Sequence, residues 1–335
     1  MTLKNIHYLI TLSAAALCAS CADTVRYIAP DDPVDPIVQP SYDEALARWE
    51  AALPSASFVE VPEVIPTDTT AADYDDYIEN QEFKKGRVVS LTWQGDQVLV
   101  DNPQADKGVS VTTRGGYVVI ENLESEEGAD DARGKVTYRL TGASDRGQLK
   151  IYSNKKFLLS LDGVQLHCPD GPAISIQKKK RCFVQCEDGT LNLLSDGVDY
   201  ASDAEAEPAE DEKGCLFSEG QLIFCGSGQL VIQAAHQHGI ASDEYIHIHT
   251  GCRIDVRQAP KDGIHSKQQF TQTGGLVRSY ATKDALQSDS LGIHLTAGYL
   301  YLCGERAYSA GAGGKVSIIS PARLSDISWG TPITQ

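Results

Sequence analysis

A six-residue phrase recurs four times in the second half of the chain, and this repeat limits the folds that the sequence can adopt. Its copies begin at Gly214, His238, Asp262 and Asp284, so they lie 24, 24 and 22 residues apart. Every copy has Leu or Ile at its third position and serine at its fifth. A period of this length is typical of a solenoid, in which each unit buries its apolar face only against its neighbours.

Within a unit, apolar residues alternate with polar ones. Ile246 and Ile248 flank a histidine, and Ile254 and Val256 flank an aspartate. This period-2 pattern indicates strands with one buried face. The sequence pattern of leucine-rich repeats, which have a similar length, is missing. The sequence therefore predicts an all-β chain whose units are the coils of a parallel β-helix.

The first 21 residues have the features of a secretory signal. An apolar run from Tyr8 to Leu17 follows a short polar head, and its length of about ten residues suits export but is too short for a membrane span. Ala-Ser-Cys at residues 19–21 resembles a bacterial lipoprotein box with Cys21 as the lipidated residue. Ordinary signal cleavage without a lipid is the alternative. We therefore expect an exported lipoprotein of the cell envelope that contacts the membrane through its lipid anchor only.

Composition divides the rest of the chain into three regions. Residues 22–86 are acidic and rich in proline, which predicts a tether, and a capping box that begins at Ser41 predicts a short helix within it. Residues 87–320 are rich in strand-like runs without a visible break, so they predict a single β-helix domain. Residues 321–335 predict a C-terminal tail.

Charge and cysteine content narrow the class of protein. The net charge of −17 argues against nucleic acids or anionic membrane surfaces as partners, because both attract basic patches. We expect a monomer.

Seven cysteines follow Cys18 and Cys21 in the sequence, and an odd number cannot all pair internally. We interpret them as core residues, with disulfides between neighbouring coils as the alternative.

Several motifs, taken in order, resemble a known family. They lie at Leu161–Leu166, Asp170–Ile176, Leu194–Gly197 and Leu222–Ile232, and they continue in the phrases that begin at His238 and Asp262. Over roughly residues 88–305, the chain resembles the bacterial carbohydrate-binding β-helix family related to the clostridial cellulosomal polygalacturonate- and cellulose-binding protein. The resemblance implies a right-handed parallel β-helix with a pectate-lyase-like shape. It also implies bound calcium and a polysaccharide partner, such as a polyuronate or a cellulose-like glycan.

The predicted stacking of two aspartates favours the binding of a calcium ion. If Asp262 and Asp284 occupy one corner of successive coils, their carboxylates lie about 4.8 Å apart and repel by about 3 kcal/mol at an effective dielectric near 20. A calcium ion with roughly six to eight oxygen ligands would relieve this repulsion. The alternative is that each aspartate is a turn residue that faces water. The remaining predicted calcium ligands lie in two places. Asp243 and Asp289 end their phrases and form a second column, and Asp196 and Asp199 lie in an acidic insertion before the phrase at Gly214.

Outward-facing strand residues are the candidate sugar-binding residues. Aromatic rings can stack on sugars, and cationic side chains can pair with uronate carboxylates. The sequence alone does not fix which strand face points outward. His247 and His249 share a strand face and could ligate a transition metal, but no third ligand is evident, so we interpret them as surface residues. The predicted carbohydrate-binding residues are Tyr299, Tyr301, Tyr245, Arg253, Arg257 and Lys261.

These observations favour a non-catalytic carbohydrate-binding protein, and two alternatives stay open. A structural or adhesive surface protein would bind a protein partner instead. A calcium-dependent pectate-lyase-like enzyme would need a cationic base with a lowered pKa. Lys261 and Lys267 flank the Asp262 motif, but the net acidic charge opposes such a shift. Motifs for nucleophilic hydrolysis or nucleotide binding are missing from the sequence.

Overall fold

Each coil of the chain contributes up to three short strands, and equivalent strands of successive coils pair side by side. The computed structural model describes residues 38–83, 87–123, 135–201 and 210–330. The predicted signal at residues 1–21, with Cys21, lies outside the described residues. None of the helices in these ranges has the length and apolarity that a bilayer span requires.

One α-helix precedes 26 strands in the described chain. The helix, α1, spans Tyr42–Ala52. The strands, in chain order, are β1 (Val88–Gln94), β2 (Gln97–Asp101), β3 (Ser110–Arg114), β4 (Tyr117–Asn122), β5 (Val136–Ser144), β6 (Gln148–Ser153), β7 (Phe157–Leu161), β8 (Gln165–Cys168), β9 (Ile174–Ile176), β10 (Cys182–Cys186), β11 (Leu191–Asp196), β12 (Gly214–Ser218), β13 (Leu222–Gly226), β14 (Gln229–Gln233), β15 (His238–Ser242), β16 (Ile246–Ile248), β17 (Arg253–Gln258), β18 (Ile264–Ser266), β19 (Gln269–Gln272), β20 (Leu276–Tyr280), β21 (Asp284–Ser288), β22 (Gly292–Leu295), β23 (Tyr299–Gly304), β24 (Arg306–Ala310), β25 (Lys315–Ile318) and β26 (Arg323–Ser328).

The strands form three ladders along the solenoid. The first ladder is β1-β5-β7-β10-β13-β16-β19-β22-β25, the second is β5-β8-β11-β14-β17-β20-β23-β26, and the third is β3-β4-β6-β9-β12-β15-β18-β21-β24. Pairing along the ladders is parallel, as between β13 and β16 or β15 and β18. The described antiparallel pairs are the hairpins β1–β2 and β3–β4 at the N-terminal end. This parallel β-solenoid confirms the predicted fold class.

The register of the third ladder places the first residues of the repeated phrases in one column. Gly214 pairs with His238, and Asp284 pairs with Arg306. The register of the strands between them places Asp262 between His238 and Asp284. The spacing of the repeat therefore predicts the stacking of the coils correctly.

Alternate side chains of every ladder point into one continuous core. In the third ladder, Ile240, Ile264 and Leu286 stack in register and are fully buried. Because a fully buried aliphatic side chain contributes about 1.5–3 kcal/mol, such stacks stabilise the coils on one another. The seven cysteines of the described chain are buried and free of disulfide bonds, as the core interpretation predicts.

Residues 38–83, which we name the strap, pack along the outside of the solenoid. The predicted helix begins at the predicted capping box, in which Ser41 and Glu44 exchange hydrogen bonds. Trp49 of this helix is fully buried against Tyr301, and its indole N–H donates to a β23 carbonyl at 3.2 Å. The helix therefore docks on the second ladder.

The rest of the strap crosses to the first ladder. Glu60 accepts a hydrogen bond from the backbone N–H of Gly275 at 2.9 Å, and Phe83 packs edge to face on Phe183. These contacts correct the predicted tether of residues 22–86 over residues 38–83, whereas residues 22–37 and 84–86 lie outside the described residues. From residue 38 to residue 83 the segment belongs to the folded body, because its buried and half-buried aromatic side chains pack on the solenoid.

The C-terminal boundary also differs from the prediction. Strand β26 pairs in parallel with β23 along its whole length. Leu324 of β26 lies in register with Leu300 and packs against the core. The predicted tail at residues 321–335 is therefore wrong as far as residue 328, because the apolar column continues for one more coil.

Candidate functional site

The corner column of the third ladder gathers histidines, acids and an arginine. Asp262 is 2% exposed, and its Oδ2 lies 3.2 Å from His238 Nδ1 and 3.1 Å from His265 Nδ1. Burial alone would raise the pKa of the Asp262 carboxyl, but hydrogen bonds from the two imidazoles outweigh burial and hold this pKa well below its usual range. Burial lowers the pKa of His238, which favours the neutral form of this imidazole.

The next acid of the column, Asp284, is neutralised by an arginine. Arg306 donates to Asp284 from Nε at 2.6 Å and from a terminal nitrogen at 2.5 Å, and the Ser309 hydroxyl donates at 2.6 Å. Asp262 and Asp284 do stack, since the backbone N–H of Asp284 donates to Asp262 Oδ1 at 3.3 Å. The repulsion expected between the stacked acids is therefore offset by neighbouring imidazole and guanidinium groups.

These neighbours do not fit calcium at Asp262 and Asp284. Calcium takes roughly six to eight oxygen ligands, whereas the two carboxylates face imidazole nitrogens and a guanidinium. Within the described ranges, no group of three mutually close histidine, cysteine, aspartate or glutamate ligand atoms includes two of the predicted calcium ligands. Calcium binding by the chain stays a prediction, but this column does not offer calcium a suitable site.

The second predicted column contains alternating charges. Asp243 lies between Lys213 and Lys267, with N–O distances of 3.3 and 2.9 Å. Asp289 faces His265, whose Nε2 lies 3.4 Å from its Oδ2. Each acid is thus paired with a side chain of the protein.

The two acids predicted in the insertion lie in different environments. Asp196 is buried and accepts hydrogen bonds at 2.5 Å from the Tyr200 hydroxyl and from the Ala235 N–H. Burial raises the pKa of Asp196. Asp199 is exposed. The two therefore do not combine into one oxygen cluster.

The strap covers the three tyrosines that the sequence predicts for sugar binding. Tyr301 is fully buried, and its hydroxyl donates to a strap carbonyl at 2.9 Å. Tyr299 packs on Phe58 with ring centroids 5.0 Å apart, and the Tyr245 hydroxyl donates to Asp76 at 2.5 Å. These tyrosines face outward, but they meet a segment of their own chain and do not form an open sugar-binding surface.

The three predicted sugar-binding cations lie at the border of the strap or at a corner. Arg253 is exposed beside a cavity of about 420 Å³ between the strap and the second ladder. Arg257 is exposed, pairs with Asp255 at 3.0 Å and borders a second groove of about 300 Å³. Lys261 is half-buried at the corner before Asp262.

His247 and His249 are buried, so their interpretation as surface residues is wrong. Their side chains lie under the strap, and Glu63 of the strap places both carboxylate oxygens 3.0 Å from His249 Nδ1. A third possible metal ligand therefore exists, and it comes from a segment that the sequence pattern assigns to a tether.

An open groove of about 750 Å³ lies over the first strands of the third ladder, and none of its lining residues belongs to the strap. Tyr117 of β4 and Tyr152 of β6 line it, together with Arg114 at the end of β3 and Arg146 in the turn before β6. Because β4 and β6 are neighbours in the ladder, the two tyrosines belong to successive coils.

Acids hold the polar groups of this groove in place. The Tyr117 hydroxyl donates to Asp170 at 2.5 Å, and the Tyr152 hydroxyl donates to Glu210. Lys150, which lies between the two tyrosines, pairs with Glu210 at 2.7 Å. Its pKa is raised, since ion pairing with Glu210 and its neighbour Glu212 outweighs the effect of burial. The groove is thus ordered by contacts within the protein.

Arg114 and Arg146 remain available for a ligand. Both are exposed, and no carboxylate of the described residues lies within 4.0 Å of their side-chain nitrogens. The lining residues include three acids, Asp96, Asp170 and Glu212, and three cations when Lys150 is included. With Glu210, the partner of Lys150, the acids outnumber the cations by one. Since the whole chain has a net charge of −17, an anionic ligand meets less repulsion in this groove than over the average surface.

The fold and this groove define a β-helical protein with a polar, aromatic-lined groove. Residues 130–311, which are 182 of the 335 residues, match the family described as "Carbohydrate-binding domain-containing protein". The chain belongs to this family. The matched range includes Arg146, Lys150 and Tyr152 of the groove.

A relative from Acetivibrio thermocellus has the same description as the family. It is 29% identical over 124 residues, which are 36% of this chain and 42% of the relative, so the match spans less than half of the relative. A solved structure, described as the polysaccharide lyase-like protein from C. thermocellum in a gadolinium derivative, has a TM-score of 0.55 and 17% identity. It covers 70% of this chain and 98% of its own. At this identity the likeness concerns the fold alone.

Proposed function

We propose that the chain is a non-catalytic carbohydrate-binding protein that binds an acidic polysaccharide in the open groove. The observation that carries this proposal is the presence of two available guanidiniums, Arg114 and Arg146, beside two tyrosine rings in one groove. Family membership supports a carbohydrate ligand. The guanidiniums favour an acidic one, because they bind carboxylates in bidentate geometry.

A polyuronate suits the two available arginines and the size of the groove. Its carboxylates would pair with Arg114 and Arg146, and the apolar faces of its sugar rings would pack on Tyr117 and Tyr152. The hydroxyl hydrogen bonds orient both rings before binding, which lowers the entropy lost on association. The volume of about 750 Å³ lies within the range of roughly 300–1,000 Å³ that is typical of ligand sites.

Isothermal titration calorimetry with an oligogalacturonate tests this site. We expect Arg114→Gln and Arg146→Gln each to weaken binding by about 10- to 150-fold, because a hydrogen bond to a charged group contributes about 1.5–3 kcal/mol. Arg323→Gln removes an exposed arginine of β26 and serves as the matched control, which should keep the wild-type affinity. Equal affinities for all three variants and the wild type would place the ligand elsewhere.

A cello-oligosaccharide of the same length separates the acidic ligand from a neutral one. We expect weaker binding of the neutral sugar, since it lacks the carboxylates that pair with Arg114 and Arg146. A preference for the neutral sugar would contradict the proposed ligand class. No binding of either sugar would favour the alternative of an adhesive protein that recognises a protein partner.

Catalysis and calcium dependence are tested with the same ligand class. We expect no rise in the absorbance of unsaturated uronates when the chain and calcium are incubated with pectin, and such a rise would identify a lyase. The resemblance to the family implies calcium, and we propose that calcium assists binding where groove acids such as Asp96 approach uronate carboxylates. Unchanged affinity in a calcium chelator would remove calcium from the proposal.

We also propose that the chain is exported and anchored to the cell envelope by a lipid on Cys21. The support is the lipoprotein box in the sequence. Mass spectrometry of protein from the membrane fraction should show a lipid on Cys21, and Cys21→Ser should move the protein to the soluble fraction. Recovery of Cys21→Ser in the membrane fraction would contradict the anchor.

A further inference from the structure

Two histidines stack under the strap. The imidazole rings of His247 and His249 have centroids 4.0 Å apart and an interplanar angle of 29°. The side chains are 4% and 5% exposed. Two imidazoles in contact and out of water cannot both be charged without large repulsion. An imidazole that stays neutral has one ring nitrogen with a free lone pair, which can ligate a metal ion.

The strap adds a carboxylate to this pair. Both oxygens of Glu63 lie 3.0 Å from His249 Nδ1. Glu63 is fixed in this place by Thr250, whose backbone N–H and hydroxyl donate to Oε2 at 3.2 and 3.1 Å. One ligand atom from each of Glu63, His247 and His249 lies within 4.8 Å of the other two.

A second strap acid orients the other histidine. Asp76 Oδ2 lies 3.4 Å from His247 Nδ1, which leaves Nε2 of this ring for a ligand. In the metal-free chain that Nε2 is hydrogen-bonded to Thr273 Oγ1 at 3.1 Å, and a bound zinc ion would take the place of this hydrogen bond. A carboxylate behind a ligating imidazole is the usual outer-shell partner in metal sites, where it sets the tautomer and the ring orientation. In the metal-free chain the proton of the His249 ring lies on Nδ1, because the Glu63 carboxylate can only accept a hydrogen bond. His249 Nε2 is buried without a hydrogen-bond partner in the described ranges, so it is free to carry this proton when zinc takes Nδ1.

We propose that Glu63, His247 and His249 form a zinc site that fastens the strap to the solenoid. Two imidazoles and one carboxylate are a ligand set that suits Zn²⁺ and leaves a fourth position for solvent. Calcium is excluded by its preference for oxygen ligands. Two zinc ligands at 2.0–2.1 Å and at the tetrahedral angle lie about 3.3 Å apart. The Glu63–His249 distance of 3.0 Å is already close to this value.

Zinc binding depends on the position of the strap, because the three ligands come from two separate segments of the chain. His247 and His249 come from the first ladder, whereas Glu63 comes from the strap, 186 residues before His249. Zinc therefore binds with all three ligands only when the strap is docked. Because zinc binds the docked strap more tightly than the undocked one, it stabilises the docked strap. This stabilisation grows with the logarithm of the ratio between the zinc concentration and its dissociation constant.

Zinc titration of metal-free full-length chain tests the proposal. Glu63→Gln keeps the shape of the side chain but removes the anionic ligand. Glu60→Gln is the matched control, because Glu60 lies on the same strap and contacts the backbone N–H of Gly275. We expect wild type and Glu60→Gln to bind one more zinc ion per chain than Glu63→Gln. We expect Asp76→Asn to bind that ion about 10- to 100-fold more weakly, as loss of an outer-shell partner does elsewhere.

Zinc bound at the second histidine cluster does not affect the difference between these variants. His238, Asp262 and His265 have ligand atoms within 4.8 Å of one another, and any metal bound there is common to wild type, Glu60→Gln and Glu63→Gln. Equal zinc stoichiometry and affinity in Glu63→Gln and wild type would overturn the site. Far-UV circular dichroism shows whether each variant keeps its β-structure.

Hydrogen exchange gives a readout that does not depend on a variant. In the wild-type chain we expect zinc to slow amide exchange at residues 58–66 of the strap, and calcium at the same concentration to leave it unchanged. Unchanged exchange at residues 58–66 on addition of zinc would overturn the proposed fastening of the strap.

Discussion

On the second ladder, the outward side chains Leu276, Tyr299 and Tyr301 meet the strap, whereas on the third ladder Tyr117 and Tyr152 border an open groove. Both surfaces combine aromatic rings with arginines, so local composition does not distinguish them. What distinguishes them is whether another segment of the chain covers the sheet. An outward aromatic residue of a solenoid can therefore serve packing within the chain or binding of a ligand, and the rest of the fold decides which.

The largest expected effect concerns the covered surface. Trp49→Ala removes the buried indole that anchors the strap on β23, and truncation of a buried tryptophan costs about 3–5 kcal/mol. We expect limited proteolysis to cleave the strap of this variant much faster, while far-UV circular dichroism shows that the solenoid is kept. Val64→Ala, on an exposed strap residue, should change stability by less than about 0.5 kcal/mol.

Loss of the solenoid together with the strap would contradict this separation. It would mean that the strap is required for the coils to fold, and that the covered ladders lack stability of their own. Unchanged proteolysis of Trp49→Ala would show instead that the remaining strap contacts suffice to hold it.

A smaller effect is expected at the corner of the third ladder. Arg306→Met leaves the buried Asp284 with only the Ser309 hydroxyl of its three side-chain donors. We expect a loss of about 1–3 kcal/mol, because the guanidinium is half-exposed and solvent screens part of its interaction. The urea midpoint measures this loss, and Arg323→Met is the matched control. Equal midpoints for the two variants would contradict a stabilising role for the Asp284–Arg306 pair.

The smallest expected effect is a dependence of stability on pH at the same corner. Burial lowers the pKa of His238 from its ordinary value of 6.5. The folded chain therefore binds this proton less readily than the unfolded chain. The contribution of His238 to the free energy of unfolding is complete above about pH 6.5. It is lost as the pH falls toward the lowered pKa of His238 in the folded chain. The slope for one group is at most about 1.4 kcal/mol per pH unit.

Urea unfolding in metal-free buffer over the acidic side of neutrality measures this slope. We expect His238→Gln to show a flatter dependence than the wild type, and His294→Gln, a half-buried histidine of β22, to keep the wild-type slope. A wild-type slope in His238→Gln would assign the acid sensitivity to other groups.

Sequence spacing predicts what repeats along the solenoid. The period places Asp262 and Asp284 in one column, and hydrogen bonding between them bears this out. Continuation of the column by another 22 residues gives Arg306, so the arginine that neutralises Asp284 is also implied by the period. The prediction succeeds here because parallel coils in register carry residues of equal spacing to equal positions.

Sequence spacing cannot predict what covers the solenoid. The strap has no repeat, and its acidic, proline-rich composition is also typical of disordered segments. Its partners lie far away in sequence, as with Glu63 and His249 or Trp49 and Tyr301. The groove also departs from the period, because the hairpins β1–β2 and β3–β4 precede the regular coils.

Hydrogen exchange of the full-length chain with and without an oligogalacturonate tests the central comparison most directly. Our account predicts slower exchange at residues 112–119 and 146–152, which line the open groove. It predicts no change at residues 245–257 and 299–301, which lie beneath or beside the strap. Slower exchange at the latter residues with no change in the groove would contradict it.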